Sequence, residues 1–139
     1  RDRSVSRGLG DVYKRQSSKE ELIDITSQVS EAVKKDGIEE GVCLVHIPHT
    51  TAAVTINENA DPDVQHDLLL GLDAAFPDRN EFRHSEGNSS AHLKSSCIGC
   101  SQTIIISKGR LLLGTWQGLY FCEFDGPRRR KYFVKTMKD

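Results

Sequence analysis

The sequence lacks several features that would place it quickly, and each absence excludes something. No apolar run approaches the ~20 residues of a membrane-spanning helix. A surplus of one charge is missing: 19 Lys and Arg stand against 20 Asp and Glu in 139 residues. The first sixteen residues hold five of the basic and two of the acidic side chains, and the remainder balances at 14 against 18, or −4. That argues against nucleic acid or an anionic membrane as the main partner. There is no internal repeat and no low-complexity segment. Cysteine is limited to positions 43, 97, 100 and 122. Cys43 and Cys122 sit in strand-like apolar runs, where a free thiol behaves as a small hydrophobe. The length suffices for one domain with its own core. A soluble cytoplasmic protein of a reducing compartment is the expectation.

The opening reads unlike the rest. Ser6 to Gln16 resembles an in-frame translation of a sequencing adapter, so residues 1–16 are set aside as a non-native scar. Residues 17–139 are expected to form the single domain, with an opening strand cut short near Glu21–Ile25.

What the chain does hold is a dense polar stretch, His49-Thr50-Thr51-Ala52-Ala53-Val54-Thr55-Ile56-Asn57-Glu58, that follows the apolar run Gly41–Ile47 and Pro48. Ala52–Ile56 is short and β-branched, as a strand should be. It would carry His49 and Thr50 at one end and Asn57 and Glu58 at the other. Before it, Val29, Ala32 and Val33 share a helical face with Thr26 or Ser27 as cap and Gly37 as terminator. After it, Asp61-Pro62-Asp63 is a helix start, with a capping Asp, Pro in the first turn and an acid at the positive end. Val64, Leu68 and Leu72 form that helix's apolar stripe.

Asp78–Gly87 reads as a loop, and Asn88 as the cap of a helix from about Ser89 to Cys97. The remainder reads as a meander. Its strands are Thr103–Ser107, Arg110–Leu113, Leu119–Phe124 and Arg130–Lys135, with turns at Lys108-Gly109 and Asp125-Gly126-Pro127. Gly114 and Gly118 permit a bulge or close backbone approach. The expected fold is therefore α+β: a compact domain with an antiparallel sheet core and two or three helices.

His49, His84 and His92 lie in polar stretches, beside Gly, Asn or Thr. Neutral imidazole is the commonest metal ligand and the usual acid/base group near neutral pH. Three of them with an open position would suit a Zn²⁺-type site. Protonated, they would bind a phosphate or move protons. His46, between Val45 and Ile47 in a strand, reads as half-buried and structural, and His66 as a solvated helix residue. The lone pair Cys97-x-x-Cys100 has no thioredoxin-like context and no second pair, so it reads as neither redox nor zinc motif. Arg128 and Arg130, after a tight turn, could fork onto phosphate oxygens or could hold a solvated edge strand. Trp116 and Gln117 could bracket a ring, or Trp116 could be core.

Taken in order, these pieces resemble one family. They are His49-Thr50-Thr51-Ala52-Ala53, Asn57-Glu58, Asp61-Pro62-Asp63, Asp67, His84-x-Glu86-Gly87-Asn88-x-x-Ala91-His92-Leu93, Gly114-Thr115-Trp116-Gln117 and Glu123-x-Asp125-Gly126-Pro127-Arg128-x-Arg130. The chain resembles the YjbQ family, also called the secondary thiamine-phosphate synthase family, from about Leu22 to Lys135. The resemblance implies a homotrimer with a polar cavity lined by His49, Thr50, Asn57, Glu58, His84, Asn88, His92, Trp116, Gln117 and Glu123.

It also implies an enzyme, a transferase that joins a hydroxymethylpyrimidine diphosphate to a thiazole phosphate with loss of pyrophosphate. In that reading His49, Glu58, His84 and His92 are catalytic. Thr50, Asn57, Asn88, Trp116, Gln117, Glu123, Arg128 and Arg130 bind substrate. A divalent metal, Mg²⁺ on Glu58 and Glu123 or Zn²⁺ on His49, His84 and His92, would assist, and no organic cofactor is expected. The rival readings are a metal-dependent phosphate-ester hydrolase using the three His, and a non-catalytic trimeric binder of anions or small ligands.

Overall fold

The computed structural model describes residues 19–139 in full and Gly8–Asp11 as backbone; the rest of residues 1–18, which includes most of the suspected scar, lies outside the described residues. Gly8–Asp11 forms strand β1, antiparallel to the last strand. The other elements are β2 Glu21–Asp24, α1 Thr26–Asp36, β3 Gly41–His46, β4 Ala52–Glu58, α2 Pro62–Ala75, α3 Ser89–Ile98, β5 Ser101–Ser107, β6 Arg110–Leu111, β7 Gln117–Glu123 and β8 Lys131–Lys138. Three helices and antiparallel sheets make this an α+β protein.

The strands divide into a five-stranded sheet ordered β1-β8-β3-β5-β6 and a three-stranded sheet ordered β2-β7-β4. This corrects the expected meander. Only β5 and β6 are joined as a hairpin, while β7 crosses to the second sheet and β8 returns to the first. The burial pattern gives the physical reason. In β7 every residue from Gly118 to Glu123 is buried, so it needs cover on both faces. A strand of the first sheet alternates instead, as β3 does.

Side-chain alternation sorts β4 and β7 between two apolar clusters. Ala52, Val54, Leu119 and Phe121 face the main core, with Val29 and Val33 of α1, Val45 of β3, Ile104 and Ile106 of β5 and Val134 of β8. Ala53, Cys122 and the following Phe124 face the other way, toward Ala91 of α3 and Leu69 and Leu72 of α2. Cys43 and Cys122 are buried, and burial pushes both thiols up to about 12. No helix among the described residues is long and apolar enough to cross a membrane.

Local signals held where their partners are local. Gly37 ends α1 at φ +67, and the Asp61 carboxylate accepts from the Asp63 N–H at 2.9 Å at the start of α2. Two caps differ from expectation. The Asp24 carboxylate, rather than the Thr26 or Ser27 side chain, organises the start of α1, accepting from the Thr26 N–H at 2.9 Å and hydroxyl at 2.6 Å. Asn88 precedes α3, but its side chain makes no capping bond; the amide is turned so that its Nδ2 donates to Asp125 at 2.7 Å. Gly118 meets the expected close approach, since a Cβ there would collide with the Asn59 side chain. The return strand β6 is only two residues long.

Candidate functional site

Pro48 follows the last turn-free residues of β3 and lacks an N–H, so the chain leaves the sheet there and loops over to β4. The loop carries His49, Thr50 and Thr51. The loop before α3 carries His84 and Glu86, α3 itself carries His92, and the loop before β8 carries Arg128 and Arg130. These residues, with Pro48 and Asn88, line one cavity of about 360 Å³. The three histidines that no spacing rule joined thus face a common space. The rings of His84 and His92 meet edge to face, centroids 5.2 Å apart and planes at 83°. His84 Nε2 is 3.7 Å from a Glu86 carboxylate oxygen.

His49 Nε2 lies 3.1 Å from both the backbone N and the carbonyl O of Lys131, so the first residue of β8 clasps the ring. Burial and the nearby Arg130 charge hold the His49 pKa below the ordinary histidine value. Both effects favour the neutral imidazole over the charged one.

The floor of the cavity is a buried charge network. Glu123 is 0% exposed and Arg130 5%. Arg130 Nε donates to one Glu123 oxygen at 2.8 Å and Nη2 to the other, and Nη2 also donates to the Thr51 hydroxyl at 2.8 Å. Glu123 then accepts from the Asp125 N–H at 2.9 Å. Asp125 in turn accepts from Asn88 Nδ2 at 2.7 Å and Arg128 Nη2 at 2.8 Å, while its carbonyl accepts from Arg128 Nε at 2.8 Å. Burial works against the Asp125 charge, but the bonds from Asn88 and Arg128 prevail and hold its carboxyl below the usual range. Glu123 and Arg130 therefore hold the frame, and Asn88 and Arg128 are aligned by Asp125. Thr51 and Asp125 entered the sequence reading only as motif and turn residues, not as parts of the site. Their importance comes from contacts across 79 and 37 residues, which no local pattern announces.

The rest of the expected constellation lies elsewhere. Asn57, Glu58, Trp116 and Gln117 gather at the far end of β4, where Glu58 pairs with Gln117. The six rises from Ala52 to Glu58 put that end about 20 Å from the histidine end. There the Asn57 side chain accepts from the Glu58 N–H at 2.7 Å, and the Gln117 side chain from the Gly114 N–H at 2.8 Å. The Glu58 carbonyl accepts from the Tyr120 hydroxyl at 3.2 Å. Trp116 is 63% exposed, so it is neither core nor beside the histidines.

A metal does not fit the histidine set within one chain. Among the described residues no three His, Cys, Asp or Glu side chains are gathered to hold an ion. His49 is held on Lys131, and Glu58 is at the wrong end of β4 to activate a metal-bound water. Glu123 is enclosed by Arg130 and cannot share Mg²⁺ with Glu58. His46 is half-buried with Nδ1 2.8 Å from the Ser101 hydroxyl, and His66 is exposed beside Asp67.

A family model described as UPF0047 protein, YjbQ-like, matches residues 11–139. A UPF0047 protein of Methanocaldococcus jannaschii is 53% identical over 123 residues, which cover 88% of this chain and 89% of that one. The UPF0047 protein YugU of Bacillus subtilis is 53% identical over 122 residues, covering 87% and 92%. A YbjQ-like protein of unknown function from Sulfolobus solfataricus superposes with a TM-score of 0.93 at 30% identity, covering 99% of this chain and 100% of that one. An uncharacterised yjbq/upf0047 family protein from Clostridium acetobutylicum superposes with a TM-score of 0.87 at 52% identity, covering 94% and 98%.

Proposed function

We propose, for a chain that belongs to the UPF0047 (YjbQ-like) family, that the histidine cavity holds the phosphoryl end of a small phosphorylated substrate and promotes transfer with pyrophosphate as leaving group, as a thiamine-phosphate synthase does. One observation carries this reading: His49, His84, His92 and Arg128 line a single cavity next to the N-terminus of α3. Arg offers a planar fork for phosphate oxygens, imidazolium donates hydrogen bonds to them, and helix N-terminal amides attract them.

The chemistry asks for such a site. The methylene carbon–oxygen bond of the pyrimidine diphosphate breaks, and its electron pair leaves with pyrophosphate. The ring nitrogen of the thiazole phosphate supplies the pair for the new carbon–nitrogen bond. No proton need move in that exchange, so the work is stabilising charge on the departing oxygens. Arg128 and the His84–His92 pair meet that charge, and neutral His49 accepts or donates one further hydrogen bond. Asn57, Glu58, Trp116 and Gln117 enter this reading only across a subunit boundary.

The homotrimer is part of the proposal. No residue of α2 is buried in the single chain although the helix carries Leu68, Leu69, Leu70 and Leu72, and Leu70 is 63% exposed. Exposed free Cys97 and Cys100 suit a reducing compartment, so the cytoplasm is proposed as the location.

The test is titration calorimetry with pyrophosphate, followed by turnover of the two phosphorylated heterocycles measured by mass spectrometry. Arg128→Ala and His84→Ala are each expected to weaken pyrophosphate about ten- to hundredfold, the worth of a hydrogen bond to a charged group. Absence of saturable binding by the wild-type chain would sink the reading. Binding without product would leave an anion binder.

A further inference from the structure

The five-stranded sheet has apolar side chains on both faces, and the helices cover one of them. Its inward residues, among them Cys43 and Val45 of β3, Ile104 and Ile106 of β5 and Val134 of β8, meet α1 and the three-stranded sheet in the main core. α2 and α3 lie beyond that second sheet, on the cluster around Ala53 and Phe124. All three helices are thereby used on the inner side, and none is left for the outward face.

Alternation and register name the residues of that face. Val42 pairs with Ile105 on one side and Met137 on the other, and the Leu112 N–H donates to the Ile105 carbonyl at 2.8 Å. Leu111 and Leu113 pack on the main core, so Leu112 between them turns outward. Leu112, Ile105, Val42 and Met137 thus form one apolar row across the sheet, about 14 Å long at the usual strand spacing. The next outward row is Thr103, Leu44 and Lys135, and the one after it is Ser101, His46 and Phe133. Lys135 is the only Lys, Arg, Asp or Glu in the three rows. Ile105 is 56% exposed and Leu112 58%, and Trp116, 63% exposed, stands in the loop that runs on from Leu112 to β7. The other exposed large apolar side chains among the described residues, Leu70 and Leu93, are on α2 and α3. A contiguous apolar patch on one face marks a contact surface rather than ordinary scatter.

We propose that this face is a contact between copies of the chain, with the row from Leu112 to Met137 packed against a second subunit and Trp116 at the boundary. The proposal rests on the homotrimer reading above and names a surface that builds it. Two features select a second copy as the occupant. A face this poor in charge has the make-up of a core cut in half, as permanent contacts between subunits do. An apolar face that is present whenever the chain is folded also needs cover at the chain's own concentration, which another copy always supplies. Seating a subunit on the row brings its edge over Leu112, and so over the loop that carries Trp116 and Gln117 to the Glu58 end of β4.

The chain holds a single tryptophan, so its fluorescence reports Trp116 alone. In sedimentation the wild-type chain is expected as an assembly, with Trp116 emission shifted to the blue and shielded from acrylamide. Ile105→Lys and, separately, Leu112→Lys are expected to sediment as single chains, with emission shifted to the red and faster quenching. Both side chains are exposed in the single chain, and circular dichroism checks that both variants fold. Thr103→Arg, at another exposed position of the face, replaces them should they unfold, with the same expectation.

An assembly that survives these substitutions would overturn this contact and leave the α2 leucines to carry the homotrimer. A wild-type chain that sediments as a monomer would remove the homotrimer and this contact together. Dissociation that leaves Trp116 emission unchanged would overturn the placement of Trp116 at the boundary.

Discussion

The two ends of β4 carry comparable polar residues, yet they differ in what stands behind them. At the histidine end, the buried Glu123–Arg130 pair and Asp125 hold Thr51, Asn88 and Arg128 in fixed orientations. At the Glu58 end, Asn57 and Gln117 satisfy amides one and three residues away, and Trp116 stands in solvent. The first arrangement has the build of a site, because its side chains are aimed by a buried charge network. The second, in one chain, is turn chemistry.

The largest effect that would sharpen this contrast is on stability. Arg130→Ala leaves the Glu123 carboxylate buried without its partner, and a loss of about 3–5 kcal/mol is expected in urea denaturation. Glu58→Ala at the other end should stay within about 0.5 kcal/mol. Similar losses at both ends would break the contrast.

Next is ligand positioning. Asp125→Asn weakens the hold on Arg128 and Asn88, and an approximately tenfold loss of pyrophosphate affinity is expected. Gln117→Ala should leave that affinity unchanged in the same calorimeter.

A smaller effect is that of pH. His49 has a lowered pKa in the folded chain. As pH falls through the ordinary histidine value of about 6.5, the unfolded chain takes up the proton first, so this residue's contribution to stability declines. His49→Gln should flatten the pH dependence below that value, measured by thermal unfolding at a series of pH values. An unchanged slope would mean that His49 does not carry it. The smallest change expected is for Trp116→Ala, within about 0.5 kcal/mol in the isolated chain, because its side chain is mostly in water.

How much of this was legible in the sequence follows from the range of each contact. Asp61-Pro62-Asp63, Gly37 and the Lys108-Gly109 turn act within a few residues, and each was readable. The strands β3 and β8 were readable as short apolar runs, although β8 runs from Lys131 to Lys138, past the expected end at Lys135. The crossing of β7 into the second sheet was not, since a strand buried on both faces has no period to betray its neighbours. The convergence of His49 with His84 and His92 was suggested by motif content alone. The orientation of Asn88 was misread as a cap because the carboxylate that takes its Nδ2 bond, Asp125, lies 37 residues on. Glu58 was grouped with the histidines by the family resemblance, although the sequence itself put it at the other end of the same strand.

The grip of Lys131 on His49 spans 82 residues and belongs to the last strand in the chain. It therefore sets a schedule. A ribosome that has released everything up to β7 has made the loop bearing His49 but nothing to close on it. The grip on His49 closes only when β8 pairs with β3. A chain clipped before that strand would keep most of the family's motifs and lose what holds the His49 ring in place.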